Sequence, residues 1–159
     1  MVLLLQYTLI FASVLILVAL GGCFSEHSGV VNIGLEGIMV MGALGGALMM
    51  KYLPSTMAAP LVILFVILGS VIVGMVFSLF LGVAAIHFNA DQTLVGTALN
   101  LLGPAAAVVI VRAINMSESI DNVSSTVAYK EAKKAFLVNI GKFEFSWFML
   151  LALLILIVS

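Results

Sequence analysis

Six basic and seven acidic side chains occur in 159 residues, so each polar cluster in this chain has to be accounted for. The first is Ser25-Glu26-His27-Ser28-Gly29-Val30-Val31-Asn32-Ile33-Gly34-Leu35-Glu36-Gly37, set between two apolar runs. An ionised side chain at mid-membrane costs about 2.5–3.5 kcal/mol on insertion scales. Glu26 and Glu36 therefore need water, a cavity or a partner. Gly29, Gly34 and Gly37 permit a broken or re-entrant helix, whose freed backbone groups must line protein or water. Breaks of this kind build solute sites in transporters, because helix ends present N–H or C=O groups. Asn32 both donates and accepts, and Glu36 only accepts, a combination that suits a sugar ring or a base. The same residues would also suit a polar hairpin with Glu26 and Glu36 in headgroup water.

The second cluster is Asp91–Pro104. Asp91 is placed to cap the helix that follows. Thr93, Thr97, Asn100 and Pro104 recur at spacings of four, three and four, which is one helical face. Pro104 removes a helical hydrogen bond and should kink the span. A polar, kinked stripe in a membrane helix looks inward, and Asp91, Thr97 and Asn100 become candidates for a translocation path. The alternative is that Thr97 and Asn100 only join helices, at about 0.6 kcal/mol per bond. Gly42 and Gly46 make a small-xxx-small face expected to pack closely on another helix. His27 and His87 have no second His or Cys at metal-ligand spacing and fit an interface better than a metal site. Arg112 ends its apolar run and should snorkel to the headgroups. Asn115-Met-Ser and Asn122-Val-Ser match the glycosylation pattern, which recurs by chance. No P-loop, nucleophile elbow or zinc motif is present. Energy for any transport must therefore come from another chain or an ion gradient.

The elements that position these residues are set by composition. Apolar residues make up 64% of the chain, charged ones 8%, and the mean hydropathy is +1.35. That excludes a soluble domain, which needs roughly 25% charged residues, and the net charge of −1 gives no reason to expect nucleic-acid binding. One cysteine, Cys23, excludes an internal disulfide. A span needs about 20 apolar residues to cross a core of about 30 Å. The expected fold is an all-α, polytopic helix bundle forming one domain over 1–159, with about five spans near 2–21, 37–53, 57–86, 93–114 and 146–159. Strands are not expected, because the apolar runs lack barrel alternation. Residues 115–144 should form a water-exposed loop, with a short amphipathic helix over Ala128–Phe136. Leu20-Gly21-Gly22-Cys23 resembles a lipoprotein cleavage site, but no Lys or Arg precedes the apolar run. The segment is read as a retained helix.

The stretch Gly21-Gly22-Cys23-Phe24 through Gly37, and after it Asp91-Gln92-Thr93-Leu94-Val95-Gly96-Thr97-Ala98-Leu99-Asn100-Leu101-Leu102, resembles the permease subunits of ABC-type nucleoside importers. That branch includes ribose and branched-chain amino-acid permeases. The two stretches cover about 30 of the 159 residues, in the family's order and spacing. The resemblance implies a multi-pass protein of the bacterial cell (inner) membrane that works with a second permease subunit, a cytoplasmic ATP-binding subunit and an extracellular substrate-binding lipoprotein. This chain would hold no cofactor, and ATP would be used by the partner ATPase. Asn32, Glu36 and Asn100 would line or shape the path. Family members continue into a basic cytoplasmic coupling segment, so an N-terminal portion of a permease is expected. Five of the six Lys/Arg residues lie in Arg112–Lys142, which the positive-inside rule assigns to the cytoplasm; the resemblance implies that this loop is outside. Two rival functions remain, an ion-coupled secondary carrier using Glu36 or Glu26, and a non-transporting membrane scaffold.

Overall fold

The computed structural model describes residues 2–29, 31–54, 56–127, 137–140 and 143–146. Among them are four helices and one short hairpin: α1 Val2–His27, α2 Leu35–Tyr52, α3 Ala59–His87, α4 Gln92–Glu118, β1 Leu137–Ile140 and β2 Phe143–Ser146. At a rise of about 1.5 Å per residue, α1, α3 and α4 are each about 39–44 Å long, and α2 is about 27 Å. Three helices are long and apolar enough to cross a membrane: Tyr7–His27 in α1, Ala59–His87 and Gln92–Glu118.

The helices correct the expected boundaries in places. α1 does not stop at Gly21; it runs through Gly21-Gly22 to His27. Glycine is tolerated there because lipid offers the backbone no competing hydrogen-bond partners. It also allows close approach, since a Cβ on Gly22 would lie 3.1 Å from Leu35 Cδ1. The chain then breaks over residues 28–34, with Gly29 at φ +82°. α4 continues through Pro104 as far as Glu118. Residues 137–146 are not simply loop: β1 and β2 pair antiparallel, Leu137 opposite Ser146 and Ile140 opposite Phe143. The alternation Val138-Asn139-Ile140 and Phe143-Glu144-Phe145 has strand period and strand-favouring residue types. The expected helix over Ala128–Phe136 and the span beyond Ser146 lie outside the described residues.

α2 lies between α3 and α4, and α1 touches this core lightly. Its Gly42-Ala43-Leu44-Gly45-Gly46 face meets α3 with almost nothing between the backbones. A Cβ on Gly45 would come within 2.7 Å of the Gly69 carbonyl oxygen, one on Gly46 would strike Ser70 Oγ, and one on Gly42 would lie 3.4 Å from the Ser70 oxygen. The residues met run backwards along α3 as α2 advances, so the two helices are antiparallel. Met41, Leu44, Phe77, Leu81, Leu99 and Val111 fill the remaining core. The outer face of α3, with Leu64, Leu68, Val71, Ile72, Met75 and Leu79, is exposed and wholly apolar, as a lipid-facing surface should be.

This packing ranks the glycines. Gly45→Ala and Gly46→Leu should lower thermal stability and the yield of folded protein in detergent, by the 1–3 kcal/mol typical of overpacking, roughly. Gly42→Ala should cost less. Gly82→Ala should cost nothing, because a Cβ there meets no atom within 4 Å. Equal melting of the Gly45 and Gly82 variants would show that α2 and α3 are not packed in this way.

Candidate functional site

The polar break and the polar stripe of α4 meet. α2 begins after Gly34, which has no side chain to cap the free N–H groups of the first turn. Asn100 of α4 supplies the missing acceptor. The Gly37 N–H donates to Asn100 Oδ1 at 2.8 Å, and Asn100 Nδ2 donates to the Ile33 carbonyl at 2.8 Å. One amide thus satisfies a donor inside α2 and an acceptor in the break. A third tie is the Val31 N–H donating to Gln92 Oε1 at 3.1 Å.

Asn100 reaches the backbone because glycines flank it on both sides of the crossing. A Cβ on Gly96 would stand 2.9 Å from Gly34 N, and one on Gly103 2.7 Å from Gly37 Cα; one on Gly37 would strike the Leu99 carbonyl oxygen. Gly96, Leu99 and Gly103 are buried. The face of α4 turned to α2 is therefore Gly96–Leu99/Asn100–Gly103, while Thr93 and Thr97 are exposed. Thr97 Oγ1 donates back to the Thr93 carbonyl at 2.8 Å, a local bond within α4.

The other candidates lie around this junction. Asp91 is the N-cap of α4, with Oδ1 accepting from the Thr93 N–H at 2.8 Å. Glu36 is exposed in the first turn of α2, where the helix dipole favours an acid. Glu26 is exposed in the last turn of α1. Asn32 lies in the break itself. Its Oδ1 is buried and has no hydrogen-bond partner among the described residues, and it lies 3.4 Å from the position a Cβ on Gly34 would occupy. His27 Nδ1 lies 3.1 Å from the Cys23 carbonyl, and among the described residues no group of three His, Cys, Asp or Glu could hold a metal ion.

A second polar centre, at the other end of α2, was not legible in the sequence. Lys51 pairs with Glu118 at 2.9 Å and donates to Asn115 Oδ1 at 3.3 Å. Asn115 Nδ2 donates to the carbonyls of Ser124 and Thr126, at 2.8 and 3.0 Å. Asn115 is 3% exposed, so the first sequon is structural and closed to glycosylation. Lys51 marked the end of an apolar run, but nothing in the sequence paired it with a helix 64 positions away.

Three membrane-length helices and a broken segment stitched into the bundle by backbone hydrogen bonds define an integral, multi-pass helical membrane protein. The chain belongs to the family described as branched-chain amino acid transport system / permease component, whose model matches residues 4–159. It is 45% identical over 118 residues to a guanosine ABC transporter permease protein of Bacillus subtilis, a match covering 73% of this chain and 36% of that protein. It is 34% identical over 121 residues to a nucleoside ABC transporter permease protein of Lactococcus lactis subsp. cremoris, covering 76% and 38%. A putative glucose ABC transporter permease protein of Haloferax volcanii is 54% identical over 43 residues, covering 27% of this chain and 13% of that protein. The matched region thus spans little more than a third of the first two relatives. No solved structure matches the chain.

Asn100→Ala should lower the melting midpoint in detergent, because it leaves the buried Gly37 N–H unpaired, at about 1–3 kcal/mol, and removes the more exposed bond to the Ile33 carbonyl. Asn100→Asp keeps the acceptor for Gly37 and should fall between wild type and Asn100→Ala. Thr97→Val should melt like wild type. Equal melting of Asn100→Ala and wild type would remove Asn100 from its role at the start of α2.

Proposed function

We propose that this chain is the N-terminal part of the membrane-spanning permease subunit of an ATP-driven ABC importer for nucleosides or related sugar-containing solutes, in a bacterial cell membrane. The observation that carries the reading is the break over residues 28–34. It is a non-helical stretch between α1 and α2, fixed to α4 by Asn100 and Gln92, and it holds a buried amide oxygen of Asn32 that has no partner among the described residues. An unpaired acceptor beside the first turn of a helix suits a solute rich in N–H and O–H donors. The likeness to the guanosine and nucleoside permeases supports the solute class.

In this reading Asn32 and Glu36 line the path, and Glu26, Asp91 and Thr97 stand at its polar rim. Asn100 shapes the path by holding the break open rather than by touching solute, since both ends of its amide are engaged with backbone. A fifth span follows near 146–159. A second permease subunit, a cytoplasmic ATP-binding subunit and an extracellular substrate-binding lipoprotein complete the importer. This chain binds no cofactor, and ATP is consumed by the partner.

The test is uptake of labelled guanosine by cells expressing the full-length permease with its partner subunits. Uptake should need the ATP-binding subunit and withstand an uncoupler. Glu36→Gln and Asn32→Ala should each abolish it while the protein still inserts. Normal uptake by both variants would remove the break from the path. Uptake abolished by the uncoupler and independent of the ATPase would favour an ion-coupled carrier. In liposomes, the 159-residue chain by itself should not concentrate nucleoside, because alternating access needs a source of differential free energy and no nucleotide-binding motif occurs in it.

A further inference from the structure

The chain does not leave the bundle where α4 ends. Residues 119–127 turn back against the last turns of α4 as a strap. Its shape is made locally: the Asn122 N–H donates to the Ser119 carbonyl at 2.9 Å, the Ser124 N–H to Asn122 Oδ1 at 3.3 Å, and the Thr126 N–H to Ser124 Oγ at 3.1 Å. Its hold on the helices is narrow. Asn115 Nδ2 donates to the carbonyls of Ser124 and Thr126, and Val127 packs on the apolar core. Among the described residues no other hydrogen bond joins residues 120–127 to a helix. Every strap residue except Ser124 and Val127 is exposed.

The Asn115 amide can hold the strap in one orientation only. An ammonium donates and never accepts, and a backbone carbonyl only accepts. With Oδ1 turned to Lys51 Nζ, Nδ2 is turned to the strap; the flipped amide would lose all three bonds. Lys51 lies in the last turn of α2, its side chain is 9% exposed, and Glu118 anchors it at 2.9 Å. It therefore selects the amide orientation that clasps the strap. The start of the same helix is bonded to Asn100, and the break before it to Gln92. A helix moves as a rigid element, so a shift of α2 at the break also moves Lys51 relative to Asn115.

We propose that residues 119–127 are a releasable strap and that Asn115 is its clasp, a positioning residue oriented by Lys51, so that the placement of α2 decides whether the strap is held. The two polar centres at opposite ends of this 18-residue helix then change together: what displaces the break loosens the strap. The proposal goes beyond the permease reading and does not depend on it.

Single cysteines test it in the detergent-solubilised full-length protein, with Cys23→Ser and no other cysteine. Val127→Cys should react slowly with N-ethylmaleimide, and Ile120→Cys, 85% exposed, quickly. Asn115→Asp keeps an acceptor for Lys51 but has no donor for the strap. It and Asn115→Ala should bring the rate at position 127 close to that at 120. Lys51→Met should raise the rate in part, and Lys51→Arg should restore slow labelling. Asn100→Ala, at the far end of α2, should also raise it, and should add nothing further in Lys51→Met. Val66→Cys, buried against Gly46 of α2, should stay unreactive throughout. Slow labelling at 127 in both Asn115 variants, no effect of Lys51→Met, or full additivity with Asn100→Ala would each overturn the proposal. Equal gains at 66 and 127 would overturn it too, since the whole bundle would then have loosened. Labelling requires no solute, so a failed nucleoside assignment leaves these outcomes readable.

Discussion

The structure depends on how closely the backbone of α2 approaches both of its neighbours. Lipid is as apolar as a leucine side chain, so membrane helices gain little by hiding apolar surface from it. What remains is dispersion at short range and hydrogen bonds that lipid cannot make. α2 exploits both. Gly42, Gly45 and Gly46 lie against α3, and Gly34 and Gly37 lie against α4. A helix of 18 residues with Glu36 in its first turn and Lys51 in its last would be a poor span by itself. Enclosed by two longer apolar helices, it does not have to satisfy the bilayer unaided.

Close approach at the start of α2 creates a problem that Asn100 solves. A helix that begins after a glycine has N–H groups and no capping side chain, and each group left buried and unpaired costs about 1–3 kcal/mol. The cap comes from another helix. That places a condition on α4: the residue opposite must be short enough to fit and must carry both a donor and an acceptor, with glycine on either side. Gly96, Asn100 and Gly103 meet it. At the opposite end Lys51, Asn115 and Glu118 hold α2 to α4 a second time, and Asn115 also fixes the chain that leaves the bundle at Ser124 and Thr126. The break is therefore tied to α4 more firmly than to α1, which it joins through the positive-φ Gly29.

Much of this was readable in one dimension. Helical class and membrane location followed from apolar runs too long and too unbroken for strands. The Asp91 cap followed from an acid directly before such a run. Other features were misread because a sequence pattern ignores partners. The Thr93–Thr97–Asn100 stripe reads as one face, yet only Asn100 of the three bonds to another element, while Thr97 bonds within its own helix and is exposed. Gly42 and Gly46 stood out by their four-residue spacing and do face α3, but Gly45 and Gly37, which also allow close backbone approach, fit no such spacing. Residues 137–146 looked like loop because charges interrupt them, although their alternation is that of a hairpin.

The sequence by itself determined that this chain lies in a membrane, roughly where its helices run, and that an interruption falls within Ser25–Gly37, because hydropathy and glycine content act locally and need no partner. Tertiary structure alone decided which residues meet across more than sixty positions: Asn100 with Gly37 and Ile33, Gln92 with Val31, Lys51 with Asn115 and Glu118. Those pairings depend on the relative rotation and direction of whole helices. Rotation and direction are set by backbone contacts between glycines, residues that have no side chain with which to announce a partner.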